Sequence, residues 1–154
     1  MNDSSVFSNI TTLAMCDRKS TVNRSRYWWF DAVKSKIDEL TSLSSGWDGY
    51  GAKHVSFKAA YFSLIMLESF GDSIKYVPSI VPGTNGDLQI EWHNGENSIE
   101  IHVLDEYDIE AWRDCAGADD DGEEIHLTAN FTIINSWLND FNGTDRVCNA
   151  STRG

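Results

Sequence analysis

The chain has 154 residues, a formal net charge of −12, 41% hydrophobic and 12% aromatic residues. That length suits one domain with a real core, and that apolar share excludes an intrinsically disordered chain. The negative charge excludes unaided nucleic-acid binding, because phosphate contacts need Lys and Arg, and it directs attention to basic protein surfaces as partners.

Residues 1–23 are rich in Ser, Thr and Asn with scattered apolar positions. They read as a loosely ordered N-terminal arm, with a short helix around Ile10 to Cys16. From Arg26 a helical pattern begins: Trp29, Val33, Ile37 and Leu40 recur at helical spacing, and Phe30 and Leu43 widen the stripe. Ser44-Ser45-Gly46 ends this helix. The run Gly46-Trp47-Asp48-Gly49-Tyr50-Gly51-Ala52 then predicts a tight, partly buried corner. In it Trp47 and Tyr50 anchor the core, and Asp48 accepts backbone N–H groups across the turn.

Ser56 is a suitable N-cap for a second helix over Phe57 to Phe70. Ala60, Leu64 and Leu67, flanked by Phe57, Tyr61, Ile65 and Met66, make it apolar around most of its girth, as expected of a central helix. Gly71 stops it. Tyr76 to Gly83 carries two prolines and reads as an extended connector.

Three strands follow. Leu88 to His93 and Ile99 to Val103 alternate apolar with polar residues, and Asn94-Gly95 between them is a strong hairpin signal. Residues 107–113 repeat the alternation. Asp114 to Glu124 reads as an acidic, solvated loop. A last helix over about residues 126–141 places Leu127, Phe131, Ile134, Leu138 and Phe141 on one face, with Trp137 beside it. The predicted fold is α+β in the order α-α-β-β-β-α, a three-stranded antiparallel sheet with helices packed on one face. The arm covers 1–23, the domain 24–142, and a flexible tail 143–154.

Charge is unevenly spread. Residues 105–124 hold ten acids against Arg113, a net −9, whereas residues 1–36 carry +3. Cys16, Cys115 and Cys148 are odd in number and lack CxxC spacing, so reduced thiols in a cytoplasm are expected. No segment reads as a signal peptide or membrane span.

The polar sheet face offers Glu91, His93, Glu100 and His102 as metal ligands, or Glu91 and Glu100 as an acid–base pair, although a solvated polar face is the simpler reading. Cys115 with His126 or His54 is a weak nucleophile pair, since no nucleophile motif surrounds the cysteine. Asp119-Asp120-Asp121-Gly122-Glu123-Glu124 lacks the ligand spacing of a calcium loop. No catalytic residue, metal or cofactor is implied.

The corner, the apolar helix after it, Val77-Pro78, Val81-Pro82, Gly86-Asp87-Leu88-Gln89-Ile90-Glu91-Trp92 and Ile99-Glu100-Ile101 together resemble a group of small proteins from phages and other mobile elements. Within that setting the chain looks like an anti-CRISPR inhibitor of the type I-F class. The resemblance implies a non-catalytic cytoplasmic protein that binds a CRISPR-Cas surveillance complex and obstructs target DNA. The expected partner-binding residues are the carboxylates Asp105, Glu106, Asp108, Glu110, Asp119, Asp120, Asp121, Glu123 and Glu124, set against the basic channel where phosphates would lie. Two alternatives stand beside it: an antitoxin- or immunity-like module neutralising a basic enzyme, and a metal-dependent enzyme using the polar sheet face. Finally, Tyr27, Trp28, Trp29 and Phe30 cannot all face one core, because helical neighbours point about 100° apart. They predict a homodimer interface.

Overall fold

The structure, a computed structural model, describes residues 10–15, 18–23, 27–95, 97–115 and 122–143, the first two stretches by backbone alone. Helix α1 spans Phe30–Thr41 and buries Phe30, Val33, Ile37 and Leu40, the stripe its spacing predicts. Trp29 stands at its N-cap, fully buried, with the indole N–H donating to the Gly71 carbonyl at 3.0 Å. Burying an indole is tolerable only when its N–H finds such an acceptor.

Helix α2 spans Phe57–Phe70. The Ser56 hydroxyl accepts the Ala59 N–H at 3.4 Å, and Gly71 closes the far end with φ +52°. Its broad apolar girth has a structural reason: it packs against α1 on one side and against the sheet on the other. Helix α3 spans Thr132–Asn142 and buries Ile134, Trp137, Leu138 and Phe141. Trp137 thus lies in the core rather than beside it.

The sheet corrects the expectation of three strands. It is an antiparallel meander of five: β3 Ser79–Pro82, β4 Leu88–Asn94, β5 Asn97–Asp105, β6 Asp108–Asp114 and β7 Glu123–Leu127, hydrogen-bonded in that order. The connector supplies β3, where proline is tolerated because an edge strand need not donate every N–H. Glu123–Leu127 was expected to divide between a loop and a helix. It pairs with β6 instead, so α3 starts at Thr132 and Leu127 lies outside it. A further hairpin replaces the helix expected near Ile10: β1 Ile10–Met15 pairs with β2 Arg18–Asn23, Ile10 opposite Asn23.

Register places Ile80, Ile90, Ile101, Ala111 and Ile125 in one row across the helix-covered face. The first four are essentially inaccessible. Each fully buried isoleucine contributes about 1.5–3 kcal/mol relative to exposure. A slip of one residue would turn this whole row to water, so the register is strongly determined. The class is α+β with helices on one face of an antiparallel sheet, as the sequence predicts.

Candidate functional site

The opposite face of the sheet is left uncovered among the described residues, and its composition follows from the same alternation. With Ile99, Ile101, Ile109 and Ala111 inward, Glu100, His102, Glu110 and Trp112 must point outward. Two cross-strand rows result. One runs Gln89, His102, Glu110, His126; the other runs Glu91, Glu100, Trp112, Glu124. Asp108 and Asp114 belong to the same face of β6. None of these strands contributes a Lys or Arg to it. Gln89, Glu100, His102, Glu110, Trp112 and Glu124 border a shallow depression of about 270 Å³.

The hydrogen bonding of this face is incomplete. His102 Nε2 bonds Asp87, His126 Nε2 meets Asp108 at 2.8 Å, His93 Nε2 meets Glu91 at 3.1 Å, and Gln89 donates to Glu100 at 3.2 Å. Glu110 and Glu124 have no side-chain partner among the described residues. Glu91 and Glu100 stand directly opposite each other, a like-charge pair that costs stability. Asp87 is 6% exposed. Burial opposes its ionisation, yet the hydrogen bond from His102 and bonds from backbone N–H groups hold its carboxyl below the ordinary value.

The expected acidic residues divide. Asp108, Glu110 and Glu124 lie on the open face. Asp105 and Glu106 are exposed at the β5–β6 turn. Glu123 turns the other way: it bonds Arg113 at 2.8 Å, and Asp140 bonds the same guanidinium at 3.1 Å. Arg113 itself is 4% exposed and lies 5.1 Å over the Trp137 ring. Glu123 is thus a structural residue of β7 and not part of a solvated loop. Asp119, Asp120 and Asp121 lie outside the described residues.

The aromatic quartet divides as well. Trp29 and Phe30 are core residues, and Tyr27 stacks on Trp29 at 5.7 Å. Trp28 alone stands out, 65% exposed. The corner corrects the prediction that Tyr50 is anchored: Tyr50 is 96% exposed and Trp47 half-buried. The expected role of Asp48 holds. Its Oδ1 accepts the N–H groups of Tyr50, Gly51 and Ala52 at 2.9–3.1 Å. The Ala52 bond leads in holding its carboxyl below the ordinary value. Gly46, Gly49 and Gly51 all take positive φ, which wraps the loop about that single oxygen.

Cys115 is disulfide-bonded, which corrects the expectation of reduced thiols and removes it as a nucleophile. Cys16 and Cys148 lie outside the described residues. The proposed metal set does not converge either, since His93 faces Ser98 and His102 faces Gln89. No group of three or more metal-type ligands occurs among the described residues. No described helix is long and apolar enough to cross a membrane. No protein-family model, curated protein or solved structure matches the chain.

The residue that sequence reasoning missed is Trp112. The signal was parity: with Ile109 and Ala111 inward, the tryptophan between Ala111 and Arg113 has to stand among the acids.

Proposed function

We propose that this chain is a non-catalytic binding protein whose open sheet face docks on a basic protein surface. The single observation that carries this reading is a sheet face to which the described strands contribute Glu91, Glu100, Asp108, Glu110, Asp114 and Glu124 and no Lys or Arg. Strands hold these carboxylates in a fixed array, and a partner groove senses their summed field. A basic channel built for nucleic acid is a fitting partner, and the type I-F anti-CRISPR resemblance names one: the CRISPR effector complex in the cytoplasm of a bacterial cell. Co-purification with that complex and protection of phage in a plating assay test the assignment; absence of both rejects it.

The acidic face is tested separately. Changing Glu91, Glu100, Glu110 and Glu124 together to Gln abolishes most partner affinity, whereas each single change is mild, because exposed ion pairs contribute about 0–1 kcal/mol each. Raised salt weakens the wild type more than the fourfold variant. A folded fourfold variant with normal affinity would reject the face as the docking surface.

A second reading is favoured by the disulfide at Cys115. Such bonds persist in oxidising compartments, which suits an immunity-like module that neutralises a basic enzyme outside the cytoplasm. Mass spectrometry of the protein alkylated on isolation separates the two: three alkylated cysteines favour the cytoplasmic inhibitor, one favours the module. Trp28 is the remaining anchor for a homodimer, tested by light scattering of wild type and Trp28→Ala.

A further inference from the structure

The open face is not uniformly acidic: an indole stands in the middle of it. Trp112 lies directly between Glu100 on β5 and Glu124 on β7, with Glu110 two residues before it on its own strand. Directly opposed positions in a sheet bring Cβ atoms to about 4.5–5.5 Å, within reach of one shared ligand group. Trp112 is half-buried and borders the depression described above. Its position is fixed from one side by bare backbone. A Cβ at Gly122, which takes φ +91°, would come within 2.7 Å of the Trp112 Nε1 and 2.8 Å of the Arg113 carbonyl.

We propose that Trp112, with Glu110 and Glu124, forms a subsite for an arginine side chain of the partner. This rests on the docking reading above and specifies the chemistry of its centre. A carboxylate array attracts any cation. A half-buried indole adds a flat π surface, on which a planar guanidinium stacks while its edge N–H groups fork to carboxylates. Glu110 and Glu124 are the carboxylates here without a side-chain partner among the described residues, whereas Glu100 already takes the Gln89 amide on one oxygen. A lysine ammonium is a compact, strongly hydrated charge and gains less from this geometry. A quaternary ammonium has no N–H to give, and would leave both carboxylates unanswered.

The test uses the full chain with oligoarginine and oligolysine peptides of equal length, titrated by calorimetry, and by NMR of the assigned indole N–H resonances. Oligoarginine binds about fivefold tighter, the size expected of a cation–π contact at a partly exposed site, and the Trp112 indole resonance shifts on its addition. Trp112→Leu removes the preference and leaves oligolysine affinity unchanged. Glu110→Gln with Glu124→Gln weakens both peptides. Equal affinity of the wild type for the two peptides, or a preference that survives Trp112→Leu, overturns the subsite while the acidic docking face stands. Failure of both peptides to bind overturns the face and the subsite together. If Trp112→Leu does not fold, the wild-type resonance decides: an unmoved Trp112 indole signal during oligoarginine binding overturns the proposal.

Discussion

Glu100 and Ile101 are neighbours on β5 and live under opposite physics. Ile101 is sealed in the core between Ile90 and Ala111, where volume and apolar area determine what is tolerated. Glu100 faces water between Glu91 and Trp112, where charge is repulsive within the chain and attractive to a partner. The inner face lowers the free energy of the fold. The outer face raises it slightly and presents a field. The two faces can therefore be perturbed almost independently.

The largest effect belongs to the inner face. Ile101→Ala should destabilise the protein by about 3 kcal/mol, through lost transfer energy and a residual cavity, measured by denaturant unfolding. Partner affinity of the folded fraction should be unchanged. A smaller loss marks the place where the two faces are linked: Arg113 is a charge on the apolar side. Arg113→Met keeps the packing on Trp137 but leaves Glu123 and Asp140 unpaired. Both carboxylates retain some solvent, so the cost should be about 2 kcal/mol, below the full penalty of a buried orphan charge. A variant as stable as the wild type would show that the ion pairs merely break even.

Acid should act on two carboxylates held in loops. The folded-state carboxyls of Asp48 and Asp87 both sit below their ordinary values. The folded chain therefore holds fewer protons than the unfolded one near those values. Their contribution is complete above the unfolded pKa of about 3.9 and is lost as pH falls below it. Stability should decline through that window, and less steeply in Asp87→Asn, which also loses about 1 kcal/mol at neutral pH. Parallel declines in the two proteins would contradict the role of Asp87.

The smallest effect has the sharpest sign. Glu100→Gln relieves the like-charge contact with Glu91 and should raise stability by about 0.5 kcal/mol, read as a higher urea midpoint, while weakening partner binding. A carboxylate that costs the fold and helps the contact is what separate faces require. A variant that loses stability would mean that Glu100 serves the sheet after all.

Much of this division was legible in the sequence. Helix α2 with its Ser56 cap, the α1 stripe, the Asn94-Gly95 hairpin and the acid-bearing face of β4 and β5 follow from period and turn chemistry. The two missed strands of the main sheet share a cause: their signals are overwritten by polar or proline residues. β3 is bounded by prolines, and β7 opens with two glutamates. Each reads as loop until a neighbouring strand supplies a ladder, and that ladder is a tertiary fact. Tyr50 misled for a different reason. Aromatic composition suggested burial, but the carboxylate of Asp48 organises the corner without any core contact. The outward placement of Trp112 needed only the parity of β6.

The proline bounds of β3 carry a consequence for how copies of this chain meet one another. Pro82, opposite Leu88, has no N–H to offer, and Pro78 precedes the strand, so a second chain finds no continuous ladder at that margin. The other margin, β7, is guarded by charge, since the exposed Glu124 there would meet its own kind in an approaching copy. A sheet that leaves one face bare is ordinarily open to sideways templating into fibrils. Here one rim has its row of donors interrupted by proline and the other carries charge, so sideways pairing of copies is disfavoured at both margins.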